Sequence, residues 1–220
     1  ASKIILTGNP VRQELLSINV SREVAIKSFG LDPSKKTILI IGGSLGAKTI
    51  NDSVLTHLSL IKQSNVQFIW QTGKFYSEQI REELEKKGKP DNLYVSDFIA
   101  DMAKAYKAAD LVISRAGASS ISELCLLGKP CILVPSPNVA EDHQTKNALA
   151  LVKKDAAIYI KDSEAQMALL PKAVSTVNEP ERLVALSRNI ISLAHPDAAR
   201  IIAEEVIRLA KEKKQAQHSN

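Results

Sequence analysis

Short apolar runs alternate with segments of helical periodicity along most of this chain, and this pattern limits the fold more than any other feature. It is typical of repeated βα units and a parallel sheet. The predicted strands are residues 37–41, 66–70, 93–95, 111–114, 131–134 and 157–160, and the helical patterns between them are 47–61, 77–87, 102–108, 119–127 and 144–153. Several runs are almost continuous in Ile, Leu and Val, as expected when helices cover both faces of the sheet.

The alternation stops after Ile160, and three helical patterns follow at residues 162–176, 180–194 and 196–213. Proline at the first position of the last two patterns fits the first turn of a helix. The sequence therefore predicts an α/β fold: a Rossmann-like parallel sheet of about six strands with helices on both faces, plus C-terminal helices. We predict a linker with one helix over residues 1–32, the Rossmann-like domain over 33–195, and a C-terminal helix with a flexible basic tail over 196–220.

Composition narrows the class of protein further. The chain has 220 residues and a net charge of +5, but its densest basic stretch, at residues 211–214, contains no aromatic residues, so nucleic-acid binding is not expected. No apolar run is long enough to cross a membrane, and the first ten residues lack the layout of a secretion signal, so we expect a soluble chain whose membrane contact is peripheral. Cys125 and Cys131 lie in apolar surroundings and are predicted to be buried free thiols.

A glycine-rich turn at residues 42–47 (GGSLGA) joins the first predicted strand to the next helix. Such a turn offers backbone N–H groups and the positive end of a helix dipole to an anion. Two known phosphate motifs are not satisfied: Ser44 stands where G-x-G-x-x-G needs its second glycine, and Ala47 precedes Lys48 where a P-loop needs glycine. The turn is either an anion site of another kind or a tight connection that binds nothing.

A second turn of small residues, 114–123 (SRAGASSISE), again follows a strand and precedes a helix. In one interpretation Ser119 is the N-cap of that helix, and Ser122 or Glu123 completes the capping arrangement. In the other, the small residues let a ligand approach the backbone. Ser120 would then donate to a phosphate, and Glu123 would accept two hydrogen bonds from a vicinal diol such as that of ribose.

A polar loop at residues 135–148 (PSPNVAEDHQTKNA) follows the next predicted strand. Asp142 fits the first turn of a helix, where the dipole favours a carboxylate, and His143 and Gln144 would then be ordinary surface residues. The alternative is a binding role, because ligands of open α/β sheets lie at the carboxyl ends of the strands. All three loops are predicted to meet at that edge.

These loops, together with GNPVR at residues 8–12, DFIADM at 97–102 and GKPCILVP at 128–135, resemble the C-terminal domain of the MurG family of peptidoglycan glycosyltransferases. The segments occur in the family's order and cover most of the chain. The resemblance implies a GT-B architecture, in which two Rossmann-like domains face each other and the C-terminal one holds UDP-GlcNAc. Residues 33–195 would then be the nucleotide-sugar-binding domain.

The resemblance also implies a role for individual residues. Arg12, Ser44 and Ser120 would contact the diphosphate, beside a phosphate loop of Gly42, Gly43 and Gly46; Ile99 would lie against the uracil, with Met102 and Ala118 nearby; Glu123 would take the ribose hydroxyls; His143 and Gln144 would face the GlcNAc. Arg115 would either be structural or line the cleft. No catalytic residue, metal or cofactor is expected in this chain, because the general base is expected on the family's N-terminal domain.

The activity implied by the resemblance is inverting transfer of GlcNAc from UDP-GlcNAc, converting lipid I to lipid II in peptidoglycan synthesis. The protein would act peripherally on the cytoplasmic side of the bacterial inner membrane, and its partners would be UDP-GlcNAc or UDP and the N-terminal domain that binds the lipid-linked acceptor. Since that domain is missing here, we expect the chain to bind donor and transfer little or nothing. Two alternatives stay open: the donor-binding subunit of a split glycosyltransferase, or a fragment of a UDP-GlcNAc 2-epimerase-like enzyme.

Overall fold

The structure, a computed structural model, describes residues 4–139 and 142–218 and contains one six-stranded parallel sheet. The strands are β1 (Thr37–Ile41), β2 (Gln67–Gln71), β3 (Leu93–Ser96), β4 (Leu111–Ser114), β5 (Cys131–Leu133) and β6 (Ile158–Tyr159). Their order across the sheet is β3-β2-β1-β4-β5-β6, so the chain builds one half outward from β1 and then the other half outward from β4. The predicted Rossmann-like α/β fold is confirmed.

Helices cover both faces of the sheet. They are α1 (Arg22–Lys27), α2 (Lys48–Thr56), α3 (Leu58–Gln63), α4 (Ser77–Lys87), α5 (Met102–Ala108), α6 (Ala118–Leu126), α7 (His143–Val152), α8 (Asp162–Val177), α9 (Pro180–Ile191) and α10 (Ala198–His218), with a short 3-10 turn at Gln13–Leu15. The single helix predicted over residues 47–61 was wrong, because the chain leaves helical geometry at His57 and forms α2 and α3. Ser119 as N-cap was also wrong: α6 begins one residue earlier, and Gly117 is its N-cap.

Alternate residues of the central strands pack into two separate apolar cores, one on each face of the sheet. Ile38 and Ile40 of β1 pack on one face with Trp70 and residues of α2, α4 and α8. Leu39 and Ile41 pack on the other face, with residues of α1, α5, α6 and α7. Every residue of β1 is buried, which explains why its sequence after Thr37 is continuously apolar rather than alternating.

Two buried amide side chains connect the sheet to its surroundings. The Asn51 amide of α2 donates to the Thr72 carbonyl oxygen (2.9 Å) and its oxygen accepts from the Trp70 indole N–H (3.0 Å). Gln67 of β2 pairs with both backbone groups of Asp32, at 2.8 and 2.9 Å. Because a buried amide that loses its partner costs about 1 to 3 kcal/mol, these contacts fix the end of β2 and the segment before β1.

The segment before β1 packs against the domain, since Ala25 and Ile26 of α1 are fully buried beside α5. The boundaries proposed at residues 32 and 195 stay predictions. Cys125 and Cys131 are buried free thiols, as expected. In the described part of the chain, no helix combines the length and apolar character that a membrane crossing requires.

Candidate functional site

A cavity of about 630 Å³ opens where β1 and β4 end, at the point where the strand order reverses. In doubly wound sheets this switch point is where ligands bind. The cavity is lined by Gly42, Gly43, Ser44, Leu45, Gly46, Ala47, Lys48, Thr49, Tyr76, Arg115, Gly117, Ser120, Ser136, Pro137, Asn138, Gln144 and Asp162. It therefore gathers the turns after β1, β4 and β5, as the sequence predicted, together with the start of α8.

The glycine-rich turn after β1 is held in a shape that requires glycine. Gly43 and Gly46 have φ of 86° and 89°, and the Gly46 N–H donates to the Gly43 carbonyl oxygen at 3.0 Å. A Cβ on Gly46 would lie 2.2 Å from the carbonyl oxygen of Thr72, and one on Gly73 would lie 2.1 Å from the Gly46 nitrogen. The turn is thus pressed against the end of β2, which fixes the direction of its amides.

Helices α2 and α6 both begin at this cavity, and neither has a side chain that caps its first turn. Their N-cap residues are Ala47 and Gly117, which have no side-chain hydrogen-bond acceptor. The N–H groups of a helix's first turn have no partner within the helix and need an acceptor from elsewhere. Two uncapped helix N-termini that converge on one cavity form a site suited to a phosphate or diphosphate.

Arg115 combines the two roles left open for it. Its Nη1 donates to the carbonyl oxygens of Val134 and Pro135, each at 3.1 Å, and forms a short ion pair with Asp162. The second oxygen of Asp162 accepts from the Thr49 hydroxyl at 2.9 Å. Arg115 therefore lines the cavity and also links the loop after β5, the start of α8 and, through Asp162, the first turn of α2.

Gln144 lies in the first turn of α7 and connects two of the loops. Its side-chain oxygen accepts from the N–H groups of Ala116 (3.2 Å) and Ser136 (2.9 Å), and the side chain lines the cavity. His143 is the exposed first residue of α7. Residues 140 and 141 of the predicted polar loop lie outside the described residues.

Arg12, in the segment before α1, and Glu123, on α6, contact each other. The Arg12 Nη2 is 3.0 Å from Glu123 Oε1, and the Tyr106 hydroxyl donates to Glu123 Oε2 at 2.9 Å. The segment that carries Arg12 is held in place by Gly8, where a Cβ would lie 2.5 Å from the His195 Cβ. It is also held by Asn9, whose amide donates to the Ser122 hydroxyl at 3.2 Å.

The segment after β3 contains the residues predicted to hold a base. Ile99 is buried, Met102 is half-buried beside it, and Phe98 is half-exposed with the Lys74 ammonium 5.9 Å from its ring centre. Within the described residues, neither the backbone N–H nor the carbonyl of Ile99 has a hydrogen-bond partner. Ala118 is exposed at the start of α6.

The structure thus divides the predicted site residues into two groups. Gly42, Gly43, Ser44, Gly46, Ser120 and Gln144 line the switch-point cavity. Arg12, Ile99, Met102, Ala118, Glu123 and His143 do not line it. Helix α6 connects the groups, because Ser120 and Glu123 are three residues apart and share one helix face. The binding roles of both groups stay predictions.

Two polar residues of the site were not predicted from sequence. Asp162 begins α8 three residues after the end of β6, so the rule that found the other loops, a polar residue shortly after a strand, could also have found it. Tyr106 lies inside helix α5 and gives no signal of this kind, because its partner Glu123 is 17 residues away in the chain. Among the described residues, no group of three or more His, Cys, Asp or Glu side chains could hold a metal ion.

A second cavity, of about 650 Å³, lies between α4 and β3. Its wall includes Leu84, Val95, Arg81 and Lys89. Arg81 is paired with Glu78 and Glu85, and the Lys89 ammonium donates to the Leu93 carbonyl oxygen at 2.7 Å. Its cationic groups are therefore occupied by partners within the protein.

The strand order, with its reversal between β1 and β4, and the glycine-rich turn after β1 define this chain as a Rossmann-like α/β domain. Residues 37–202 match the family model of the glycosyltransferase family 28 C-terminal domain, so the chain belongs to this family. It is 64% identical over 213 residues to the UDP-N-acetylglucosamine–N-acetylmuramyl-(pentapeptide) pyrophosphoryl-undecaprenol N-acetylglucosamine transferase of Bacteroides fragilis, covering 96% of this chain and 56% of that protein. The enzyme of the same name from Phocaeicola vulgatus is 66% identical over 208 residues, covering 94% and 55% of the two chains.

Two solved structures are similar to this chain. The crystal structure of Acinetobacter baumannii MurG aligns with a TM-score of 0.73 at 29% identity, covering 94% of this chain and 57% of that one. A UDP-GlcNAc 2-epimerase from Neisseria meningitidis, solved with UDP-GlcNAc bound, aligns with a TM-score of 0.67 over 94% of this chain and 56% of that one, but at 16% identity it shows the fold alone. The chain spans about half the length of the curated relatives it matches.

Proposed function

We propose that this chain binds UDP-GlcNAc as the donor half of an inverting N-acetylglucosaminyltransferase that converts lipid I to lipid II. The observation that carries the proposal is the switch-point cavity, with its glycine-rich turn and two uncapped helix N-termini, in a chain 64% identical to a relative whose name states this transfer. A polyanionic donor fits such a cavity, because its negative charge meets backbone N–H groups and the positive ends of two helix dipoles.

The diphosphate would lie between the turn after β1 and the first turn of α6. Ser44 and Ser120 line the same cavity and can donate their hydroxyls to phosphate oxygens. Arg12 would add a cation, since its side chain is 54% exposed and has space to turn toward the diphosphate. A guanidinium binds two phosphate oxygens at once, which lysine cannot do in the same geometry.

The uridine would extend from the diphosphate along α6 toward β3. Glu123, one helix turn beyond Ser120, would accept the ribose hydroxyls. The backbone N–H and carbonyl of Ile99 have no partner within the described residues, so they can pair with the edge of a uracil. The N–H donor and the carbonyl acceptor of the backbone complement the carbonyl oxygen and the N3–H group of a uracil edge.

The GlcNAc would face the first turn of α7. His143 and Gln144 lie there, and Gln144 is held by the N–H groups of Ala116 and Ser136. In the transfer step an acceptor sugar hydroxyl would form a bond to the anomeric carbon. The bond from that carbon to the β-phosphate oxygen would break, with its electron pair leaving on UDP.

Stabilising the UDP leaving group is an electrostatic contribution that this chain can make. The helix N-termini and Arg12 would bind the additional negative charge that develops on the β-phosphate as the bond breaks. The acceptor proton needs a base, which we place on a further domain together with the site for the lipid-linked acceptor. We therefore expect the 220-residue chain to bind donor and to transfer little or nothing by itself.

The expected cellular location of the activity follows from the lipid-linked acceptor. An undecaprenol-linked acceptor lies in a membrane, so the complete enzyme would work peripherally at the cytoplasmic face of the bacterial inner membrane, in a pathway that supports cell shape and division. UDP-GlcNAc or UDP and the acceptor-binding domain would be its partners.

Calorimetric titration of the chain with UDP, UDP-GlcNAc, ADP and NAD tests the proposal. We expect saturable binding of the two uridine compounds and at least tenfold weaker binding of the adenosine compounds. Equal affinity for uridine and adenosine nucleotides would contradict a uracil site at Ile99. Absence of binding by all four would contradict the proposed donor site as a whole.

A further inference from the structure

Tyr106 is a buried residue that contacts Glu123, the proposed ribose-binding residue. Its side chain is 2% exposed in the core between α5 and the sheet, and its hydroxyl donates to Glu123 Oε2 at 2.9 Å. A buried tyrosine hydroxyl needs a hydrogen-bond partner, and a carboxylate gives a stronger one than a neutral acceptor. The contact therefore holds both residues in one arrangement.

The two oxygens of Glu123 differ in what holds them. Oε2 is held from inside the protein by Tyr106, which cannot move without opening the core. Oε1 is covered from outside by Arg12, whose Nε and Nη2 lie 3.3 and 3.0 Å away. The Glu123 side chain is only 13% exposed, whereas that of Arg12 is 54% exposed, so the outer partner is the one that a ligand can displace.

A carboxylate that accepts two vicinal hydroxyls must present its oxygens in a fixed plane. A glutamate side chain has three rotatable bonds, and fixing them costs free energy unless another contact has done so before the ligand arrives. Tyr106 supplies that contact. Each carboxylate oxygen has two acceptor positions, so Oε2 can accept from Tyr106 and from a ribose hydroxyl together.

We propose that Tyr106 is a positioning residue, which orients the Glu123 carboxylate so that it can accept the vicinal hydroxyls of the donor's ribose. The inference rests on the proposed uridine nucleotide site and adds to it a residue that does not touch the ligand. Burial, together with the neighbouring Glu123 carboxylate, raises the pKa of Tyr106 far above its usual range. The hydroxyl thus stays protonated and keeps donating at every pH at which the protein would work.

Calorimetry with UDP and with 2′,3′-dideoxy-UDP tests the inference in Tyr106→Phe. We expect this variant to bind UDP about tenfold more weakly than the unchanged protein, the usual effect of losing a hydrogen bond to a charged group. Its affinity for dideoxy-UDP should stay within about twofold, because that compound has no hydroxyls for Glu123 to accept. A residue that only stabilises the fold would change both affinities equally.

Tyr94→Phe is the matched control. Tyr94 is partly buried and packs against the same apolar core as Tyr106, with its ring centre 5.0 Å from that of Phe29. Its hydroxyl does not contact Glu123. Removing that hydroxyl should leave both affinities unchanged. If Tyr106→Phe fails to fold, Tyr106→4-aminophenylalanine keeps the ring and a weaker donor, and it should show a smaller loss with UDP and again no loss with dideoxy-UDP.

Each outcome has one meaning. Equal weakening of both compounds by Tyr106→Phe or by the aminophenylalanine variant, or no weakening of either, would overturn the positioning role and leave the proposed function intact. Equal binding of UDP and dideoxy-UDP by the unchanged protein would overturn the ribose role of Glu123, and the positioning role with it. Failure of the unchanged protein to bind UDP would instead contradict the proposed function.

Discussion

Arg12 and Glu123 form an ion pair, with Nη2 3.0 Å from Oε1, although 111 residues separate them in the chain. The proposed roles assign Arg12 to the diphosphate and Glu123 to the ribose. Nucleotide binding would therefore exchange partners: Arg12 would leave a carboxylate for a phosphate, and the carboxylate would take two hydroxyls in return. The pair satisfies two charged side chains and would have to open when a nucleotide binds.

Glu123→Gln should strengthen the binding of inorganic pyrophosphate and weaken the binding of UDP. Without the carboxylate, Arg12 is free for phosphate, so inorganic pyrophosphate should bind severalfold more tightly. UDP should bind more weakly by roughly 1 to 3 kcal/mol, because the amide keeps one neutral acceptor oxygen in place of the two charged ones that the ribose hydroxyls would use. Titration calorimetry measures both. Weaker binding of pyrophosphate and unchanged binding of UDP would contradict the exchange.

Gly46→Ala should disrupt the glycine-rich turn. Its φ of 89° disfavours alanine, and the new Cβ would lie 2.2 Å from the Thr72 carbonyl oxygen. We expect the free energy of unfolding to fall by more than about 2 kcal/mol and UDP binding to be lost.

Gly88→Ala is the control, because Gly88 has a φ of 79° but open space around the added Cβ. It should cost only about 1 kcal/mol and leave UDP binding intact. Similar effects of the two variants would show that the close contact is unimportant.

Asp162→Asn should destabilise the protein through Arg115. The side chains of this pair are only 19% and 16% exposed, and the aspartate also accepts from the Thr49 hydroxyl. We expect a loss of about 1 to 3 kcal/mol in urea unfolding, since the guanidinium would lose its charged partner. The exposed pair of Lys48 and Asp52 gives the comparison, and Asp52→Asn should change stability by less than about 1 kcal/mol. Equal losses of unfolding free energy in the two variants would contradict a larger stabilising contribution from Asp162 than from Asp52.

The stability of the protein at alkaline pH should depend on Lys129. Burial, opposed by Asp110 and reinforced by Lys107 and Arg22, lowers the pKa of Lys129 from 10.5 to about 8. Between pH 8 and 10.5 the unfolded chain holds a proton that the folded chain has lost, so this residue makes the free energy of unfolding rise with pH there. Below pH 8 both states are protonated and its contribution is constant.

Comparison with Lys129→Met isolates this effect, because the other titrating groups are common to both proteins. The difference in unfolding free energy, unchanged protein minus variant, should increase by roughly 1 to 3 kcal/mol across that range. A constant difference would mean that the ammonium is well solvated in the folded protein.

The sequence predicted the sheet well because its central strands are buried on both faces. β1 and β4 have the predicted bounds, whereas β2 begins and ends one residue later than predicted. It ends at the polar Gln71, whose side chain donates to the Gly43 carbonyl oxygen. The break at His57 could not be predicted, because no glycine or proline marks it.

The site was predictable only in part, for a physical reason. Loops that follow parallel strands must meet at one edge of the sheet, so Ser44, Ser120 and Gln144 could be placed together from sequence. Contacts between distant side chains, such as those of Glu123 with Arg12 and Tyr106, depend on how α5 and α6 pack. No spacing in the sequence encodes them.

A crystal structure of this chain with UDP-GlcNAc tests the central claim most directly. The account predicts the diphosphate within hydrogen-bond distance of the amides of residues 43–46, the uracil edge at the Ile99 backbone and the ribose hydroxyls at Glu123. A nucleotide sugar found instead in the cavity between α4 and β3, or bound with its diphosphate away from the glycine-rich turn, would contradict it.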